Sequence, residues 1–276
     1  MGKETEGSGV SEAIKLFVGA DGTNCDLESQ AVLEWSVRKN TTRDVDIVWM
    51  QQAATGPYSG WKCASGRTPF SHFRHSIPAM CDFKGRGIYL DSDFVLMADI
   101  GELWDQPIPN VMLTKKSSKP HGKLKMCSIL WDCEKAKGHV PGLDRLKQMD
   151  DPQGTLHNYF KDNDHLVDRP QGDWNAIDAA GYSTIYDPRV KAIHYSRMST
   201  QVQLKHCIPR LAREGKTHWY TGEIAAHPMP ELQELFDKLL VEATENGYGI
   251  ERYRVDAFGG ATRKNFTYDR PTKGAA

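Results

Sequence analysis

The sequence predicts an α/β protein built on a mixed, mostly parallel sheet flanked by helices. Three observations carry that prediction. Ile14 to Ala20 is an apolar run of strand length, closed by the turn Asp21-Gly22-Thr23-Asn24. Leu27 to Lys39 follows, with Leu27, Ala31 and Trp35 spaced as one helix face. Ile47-Val48-Trp49-Met50 is a second apolar run, so strand, helix and strand succeed one another at βαβ spacing and imply parallel pairing.

The next elements follow in order. Gln51 to Thr68 is rich in Gly, Ser and Pro and reads as a long loop. Phe70 to Met80 reads as one helix, with Phe70, Phe73 and Ile77 on a common side. Gly87-Ile88-Tyr89-Leu90 and Phe94-Val95-Leu96-Met97 are apolar runs on either side of Asp91-Ser92-Asp93, and Ile100 to Trp104 reads as a short helix. Lys115 to Lys125 reads as a basic loop leading into a strand, Met126 to Trp131. Residues 141–172 are polar and read as loop with short helices. Lys191 to His194 is a last short strand. Met229 to Asn246 is the clearest helix: Leu232, Leu235, Phe236, Leu239, Leu240 and Ala243 form one apolar stripe that packs on the core, and Gly247 ends it.

Composition bounds the function. The chain has 276 residues, a net charge of −1 and a hydrophobic fraction of 39% with seven Trp and ten Tyr. It is long enough for a packed core and has no global field to draw it to nucleic acid or anionic lipid. The six cysteines (25, 63, 81, 127, 133 and 207) form no Cys-x-x-Cys pair, the signature of a zinc site. No apolar run approaches the 18 or so residues of a membrane span, and the start does not resemble a signal peptide, so a cytoplasmic protein, at most peripheral to the inner membrane face, is expected. Residues 1–12 read as a flexible start, 13–250 as one domain and 251–276 as a polar tail.

Asp91-Ser92-Asp93 is the most informative feature. The chain holds 22 aspartates, so about two Asp-x-Asp triplets arise by chance. Three occur, at Asp44, Asp91 and Asp162. Asp162-Asn163-Asp164 lies in a polar stretch and reads as a solvated loop. Only the Asp91 triplet ends a buried-strand pattern. Extended backbone places residues i and i+2 on one face, and two carboxylate oxygens at a strand end suit Mg²⁺ or Mn²⁺ bound to a diphosphate.

With the arginine of Phe73-Arg74 before the triplet and Leu103-Trp104 after it, residues 14–198 resemble the GT-A glycosyltransferases, specifically the retaining family-8-like group. The resemblance implies a Rossmann-like nucleotide-binding part over about 13–105 and an acceptor- and metal-closing part over about 106–250. It implies that Ala20, Asp21 and Asn24 contact the nucleoside, with Ser92 beside the donor. Arg74 would approach the donor sugar and the acidic motif. Asp91, Asp93 and His194 would hold Mn²⁺ or Mg²⁺. His194 opens His194-Tyr195-Ser196-Arg197-Met198, which lacks the glycine of the family's His-x-x-Gly-x-x-Lys run, so Arg197 or Lys205 would replace its lysine on the diphosphate. Asp173, in Asp173-Trp174-Asn175, would bond the donor sugar near the reacting carbon, and Trp174 would stack on sugar or belong to the core. The strand at Met126-Cys127-Ser128 departs from the family's Phe-Asn-x-Gly and leaves the donor open.

The implied activity is metal-dependent, retaining transfer from a UDP-sugar to a glycan or glycolipid hydroxyl, as in surface polysaccharide or lipopolysaccharide synthesis. A protein or nucleic-acid acceptor stays open. Two alternatives share the architecture. A sugar nucleotidyltransferase would carry a Gly-rich basic loop after the first strand, where Gly19-Ala20-Asp21-Gly22 has few glycines and no lysine. A non-catalytic nucleotide-sugar or glycan-binding module would place His194 far from Asp91. An α/β-hydrolase would show a Gly-x-Ser-x-Gly elbow, which is absent.

Overall fold

The computed structural model describes residues 12–62 and 70–256. The expected flexible start through residue 11, the part of the long loop at 63–68 and the tail from 257 lie outside the described residues. The first βαβ unit comprises β1 (Ile14–Gly19), α1 (Leu27–Asn40) and β2 (Val45–Met50). Two short helices follow, α2 (Phe70–Phe73) and α3 (Ile77–Met80), then β3 (Arg86–Asp91), β4 (Phe94–Leu96) and α4 (Gly101–Trp104). A hairpin of β5 (Met112–Lys116) and β6 (Leu124–Asp132) leads to α5 (Leu143–Gln148), α6 (Pro152–Asp162) and β7 (Val167–Asp168). The remainder is β8 (Ala176–Ile177), β9 (Ala192–His194), α7 (Leu204–Arg213) and α8 (Pro230–Glu245).

The main sheet has the order β2-β1-β3-β6-β5-β7. β1 runs parallel to both β2 and β3, and β5 to β7, while β6 opposes β3 and β5. The mixed, mostly parallel α/β architecture is therefore present. β1 is buried nearly throughout because it is interior and covered on both faces. Leu16 and Val18 enter a cluster with Ile88, Leu90 and Trp174. Phe17 enters the opposite one with Tyr89, Phe73 and Trp131. With β2 on one side of β1 and β3 on the other, chain order reverses at β1, and such a switch point opens a crevice at the carboxyl ends of the strands. Gly19 and Asp91, the last residues of β1 and β3, are register partners there. A second sheet, β4-β9-β8, extends from this edge.

The expected single helix over 70–80 is broken. Arg74 to Ser76 form a 3₁₀ turn between α2 and α3. Pro78 lacks an N–H and its ring would clash with the carbonyl four residues back, that of Arg74. The basic stretch 115–125 is also not one loop. Lys115 and Lys116 close β5, Leu124 and Lys125 open β6, and a bulge falls between Thr114 and Lys115. Residues 141–172 hold more structure than the polar composition suggested. α6 begins at Pro152 with the Asp151 side chain accepting the Gly154 N–H at 2.8 Å.

The apolar stripe of α8 is buried through Leu232, Phe236, Leu239 and Ala243. The helix ends as expected. Gly247 adopts φ +85°, and Tyr248 N–H returns to Ala243 C=O at 2.8 Å. Among the described residues no helix is long and apolar enough to cross a membrane.

Candidate functional site

Asp91 ends β3 with little exposure, 8%. Its Oδ1 accepts from Arg74 Nη2 at 3.0 Å and from the Tyr89 hydroxyl at 2.5 Å, so neither donor occupies Oδ2. Tyr89 is two residues before Asp91 on the same strand, and alternation places both on one face. Gly19 lies across from this pair, where a Cβ would sit 2.3 Å from the Tyr89 hydroxyl. The absence of a side chain there gives the hydroxyl its room.

Arg74 is enclosed. Its Nη1 donates to Met126 C=O at 2.6 Å, and its guanidinium lies 4.8 Å over the Tyr89 ring. Burial opposes its charge most strongly, but Asp91, Tyr89 and Cys127 together offset that and raise the arginine's pKa. The structure thus brings Arg74 to the acidic motif, with its visible bonds made to protein groups.

Asp93 does not continue the extended backbone of β3. Ser92 and Asp93 form a turn into β4, and Ser92 N–H bonds Gly19 C=O at 3.0 Å. Asp93 meets His194 because β4 pairs with β9, where Phe94 faces His194 in register and stacks on its ring at 4.4 Å. His194 Nε2 lies 3.4 Å from Asp93 Oδ1, an ion-pair distance without hydrogen-bond geometry. That Oδ1 is buried and otherwise unbonded, while Oδ2 accepts from Gln201 at 2.9 Å. Burial raises the pKa of Asp93. For His194, burial works against protonation, but Asp93 prevails and raises it.

Asn175 sets the imidazole. Its Nδ2 donates to Lys125 C=O at 3.0 Å, which turns its Oδ1 to His194 Nδ1, 3.0 Å away. Nδ1 must then carry a proton, so neutral His194 presents the Nε2 lone pair toward Asp93. Ligand atoms of Asp91, Cys127 and His194 lie within 4.8 Å of one another. The Cys127 thiol is pushed up by burial and then by Asp91, so it stays protonated. The available donors are two carboxylates and an imidazole, which fit Mn²⁺ or Mg²⁺. The Asp93 oxygen without a hydrogen-bond partner, and the lone pair of His194 Nε2 in its neutral form, are the features such an ion would satisfy.

The other expected residues divide. Ala20 is buried at the end of β1. Asp21 beside it accepts from the Thr23 N–H and hydroxyl, and its pKa is raised by burial and then by Asp26. Asn24 is turned away. Its Nδ2 donates to Val255 C=O at 2.8 Å, and its Oδ1 accepts Val255 N–H at 3.0 Å. Arg197 is exposed just beyond β9. Lys205 is on α7, lining a groove with residues near the end of α8 that includes none of Asp91, Asp93 and His194.

Asp173 sits where Lys115 Nζ reaches both of its oxygens, at 3.0 and 2.7 Å, and Tyr182 OH one of them at 2.9 Å. Trp174 is core, 1% exposed, with its indole N–H on Gln171 C=O. Asn175, Tyr89, Lys115 and Gln201 were not singled out as site residues from the sequence. Strand alternation from Asp91 points to Tyr89. The others reach the site across 19 to 108 residues of sequence, which leaves no periodic signal.

A second group, Asp26, Cys207 and His218, also brings ligand atoms within 4.8 Å. Here Tyr220 N–H donates to His218 Nδ1 at 2.9 Å. The proton of neutral His218 is therefore on Nε2, 3.5 Å from Asp26 Oδ1. That imidazole is arranged as a donor rather than a metal ligand.

No protein-family model matches the chain. Solved structures share its fold. The WbbM bifunctional glycosyltransferase superposes with a TM-score of 0.54 at 12% identity, covering 85% of this chain, which spans 52% of that one. The galactosyltransferase LgtC gives 0.52 at 12% identity, covering 83% of this chain and 96% of that one. GlyE of Streptococcus pneumoniae gives 0.50 at 13%, covering 86% and 64%. By sequence, Protein CDI of Arabidopsis thaliana is 25% identical over 214 residues, 69% of this chain and 80% of that protein. The fold is that of the GT-A glycosyltransferases.

Proposed function

We propose that this protein is a metal-dependent retaining glycosyltransferase that moves a sugar from a UDP-sugar to an acceptor hydroxyl, in surface polysaccharide or lipopolysaccharide synthesis. The observation that carries the reading is His194, which lies 3.4 Å from Asp93 and within 4.8 Å of an Asp91 oxygen at the end of β3. His194 beside Asp91 is the opposite of what a non-catalytic module was expected to show.

Asp91, Asp93 and His194 would hold Mn²⁺ or Mg²⁺. Bound there, the cation supplies Lewis-acid neutralisation of the charge that builds on a departing diphosphate. Arg74 and Tyr89 fix the orientation of Asp91, and Asn175 fixes that of His194. Ala20 and Asp21 lie at the strand end where the nucleoside would enter. Arg197 is exposed after the ligand histidine, and its fork suits a diphosphate. Both oxygens of Asp173 engage Lys115, which favours a role in orienting the donor sugar over nucleophilic attack. Retention then follows from front-face attack: the acceptor oxygen bonds the anomeric carbon as the C–O bond to the diphosphate breaks, and the acceptor proton passes to the leaving phosphate oxygen.

The test is UDP release from a panel of UDP-sugars with and without Mn²⁺. Mn²⁺-dependent release from at least one is expected; no binding and no turnover of any would end the proposal.

A further inference from the structure

A cavity of about 350 Å³ lies beside Asp173, within the usual range of ligand clefts, about 300–1,000 Å³. Lys115, Lys116, Arg169 and Arg189 line it, with Asp173 as the acid. The four cations are not equally neutralised. Lys115 is matched by Asp173 at 2.7 Å, and Arg189 by Asp187 at 2.6 Å. Lys116 is held by the main-chain carbonyls of Asp164 and Val167, and the Asp164 carboxylate also feels its charge. Arg169 is exposed and pairs with no carboxylate among the described residues. Among the described residues, Arg169 is therefore the lining cation left without a carboxylate partner, in a cavity where four cations face one acid.

The cavity adjoins the ligand cluster. Asn175, which sets His194, also lines the cavity, and its carbonyl accepts from Lys115 Nζ at 2.9 Å. We propose that this cavity binds a sugar bearing an anionic group, a carboxylate or phosphate ester, with Arg169 on the anion. Arginine's fork fits either anion. The inference deepens the glycosyltransferase reading by naming the chemistry of a sugar at that site, and it rests on that reading for the sugar's role as donor or acceptor.

The experiment titrates methyl β-glucuronide, glucose 6-phosphate and neutral methyl β-glucoside into the full chain by calorimetry. Binding of at least one charged sugar about tenfold or more tighter than the neutral one is expected. R169E should abolish that preference and R169K should restore part of it. Equal binding of the charged and neutral sugars, or a preference unchanged in R169E, would overturn the proposal. UDP-glucuronic acid and UDP-glucose, each with Mn²⁺, then locate the anion. A preference for the uronate donor lost in R169E places it on the donor, and equal donor affinities beside tight free anionic sugars place it on the acceptor. Mn²⁺-dependent UDP binding, measured separately, shows whether the glycosyltransferase reading stands independently of the anion site.

Discussion

Two buried histidine–aspartate pairs in this protein look alike and are wired oppositely. His194 Nε2 is 3.4 Å from Asp93, with Cys127 nearby; His218 Nε2 is 3.5 Å from Asp26, with Cys207 nearby. Both residues are 4% exposed. The difference is at the far nitrogen. His194 Nδ1–H donates a hydrogen bond to Asn175 Oδ1, whereas His218 Nδ1 accepts one from the Tyr220 N–H. Proximity of acid and imidazole is the same in the two pairs; the hydrogen bond on the other ring nitrogen is what distinguishes them, and on the proposed reading it leaves His194 Nε2 for a cation.

The most disruptive way to test the contrast is Asp91→Ala. It leaves the Arg74 guanidinium enclosed without its carboxylate, and a loss of about 3–5 kcal/mol is expected from the urea midpoint. A midpoint near wild type would mean that Arg74 does not depend on Asp91. Asp93→Ala separates function from fold, because Asp93 faces a titratable imidazole that can go neutral rather than a permanently charged arginine: Mn²⁺-dependent UDP binding should vanish in calorimetry while the midpoint holds. Unchanged affinity would remove Asp93 from the site.

Asn175→Ala sharpens the comparison further. Without the acceptor for Nδ1–H, Mn²⁺ affinity should fall about 10–100-fold. His218→Asn should change it by less than about twofold, because that imidazole is a donor elsewhere; comparable losses in the two variants would erase the distinction.

A separate effect falls on acid stability. Burial, reinforced by Arg74, pushes His75 from its ordinary 6.5 down to about 3. The folded protein keeps His75 neutral while the unfolded chain takes up a proton below 6.5. Its contribution is therefore complete above that value and declines as pH falls toward 3, by at most about 1.4 kcal/mol per pH unit. Urea midpoints measured across that range should show a shallower decline in His75→Gln than in wild type; parallel curves would assign the acid sensitivity elsewhere.

The fold was legible where patterns were long. β1, α1 and the stripe of α8 announced themselves by burial period, and α8 stopped at its glycine. The helix at 70–80 was misread because Pro78 acts on the turn before it. β5 was missed because its final residues, Lys115 and Lys116, read as solvated charge. The Asp91 end of the site was legible from its strand. The His194 end was legible only through family resemblance, because the β4–β9–β8 pairings that join it to Asp93 and Asn175 are two or three residues long.

The central claim is that Asp91, Asp93 and His194 form one divalent-cation site for a nucleotide diphosphate. Titration of Mn²⁺ in the presence of UDP into wild type, His194→Ala and His218→Ala tests it most directly. The account predicts saturable binding in wild type and in His218→Ala, and its loss in His194→Ala. Undiminished binding in His194→Ala would contradict it.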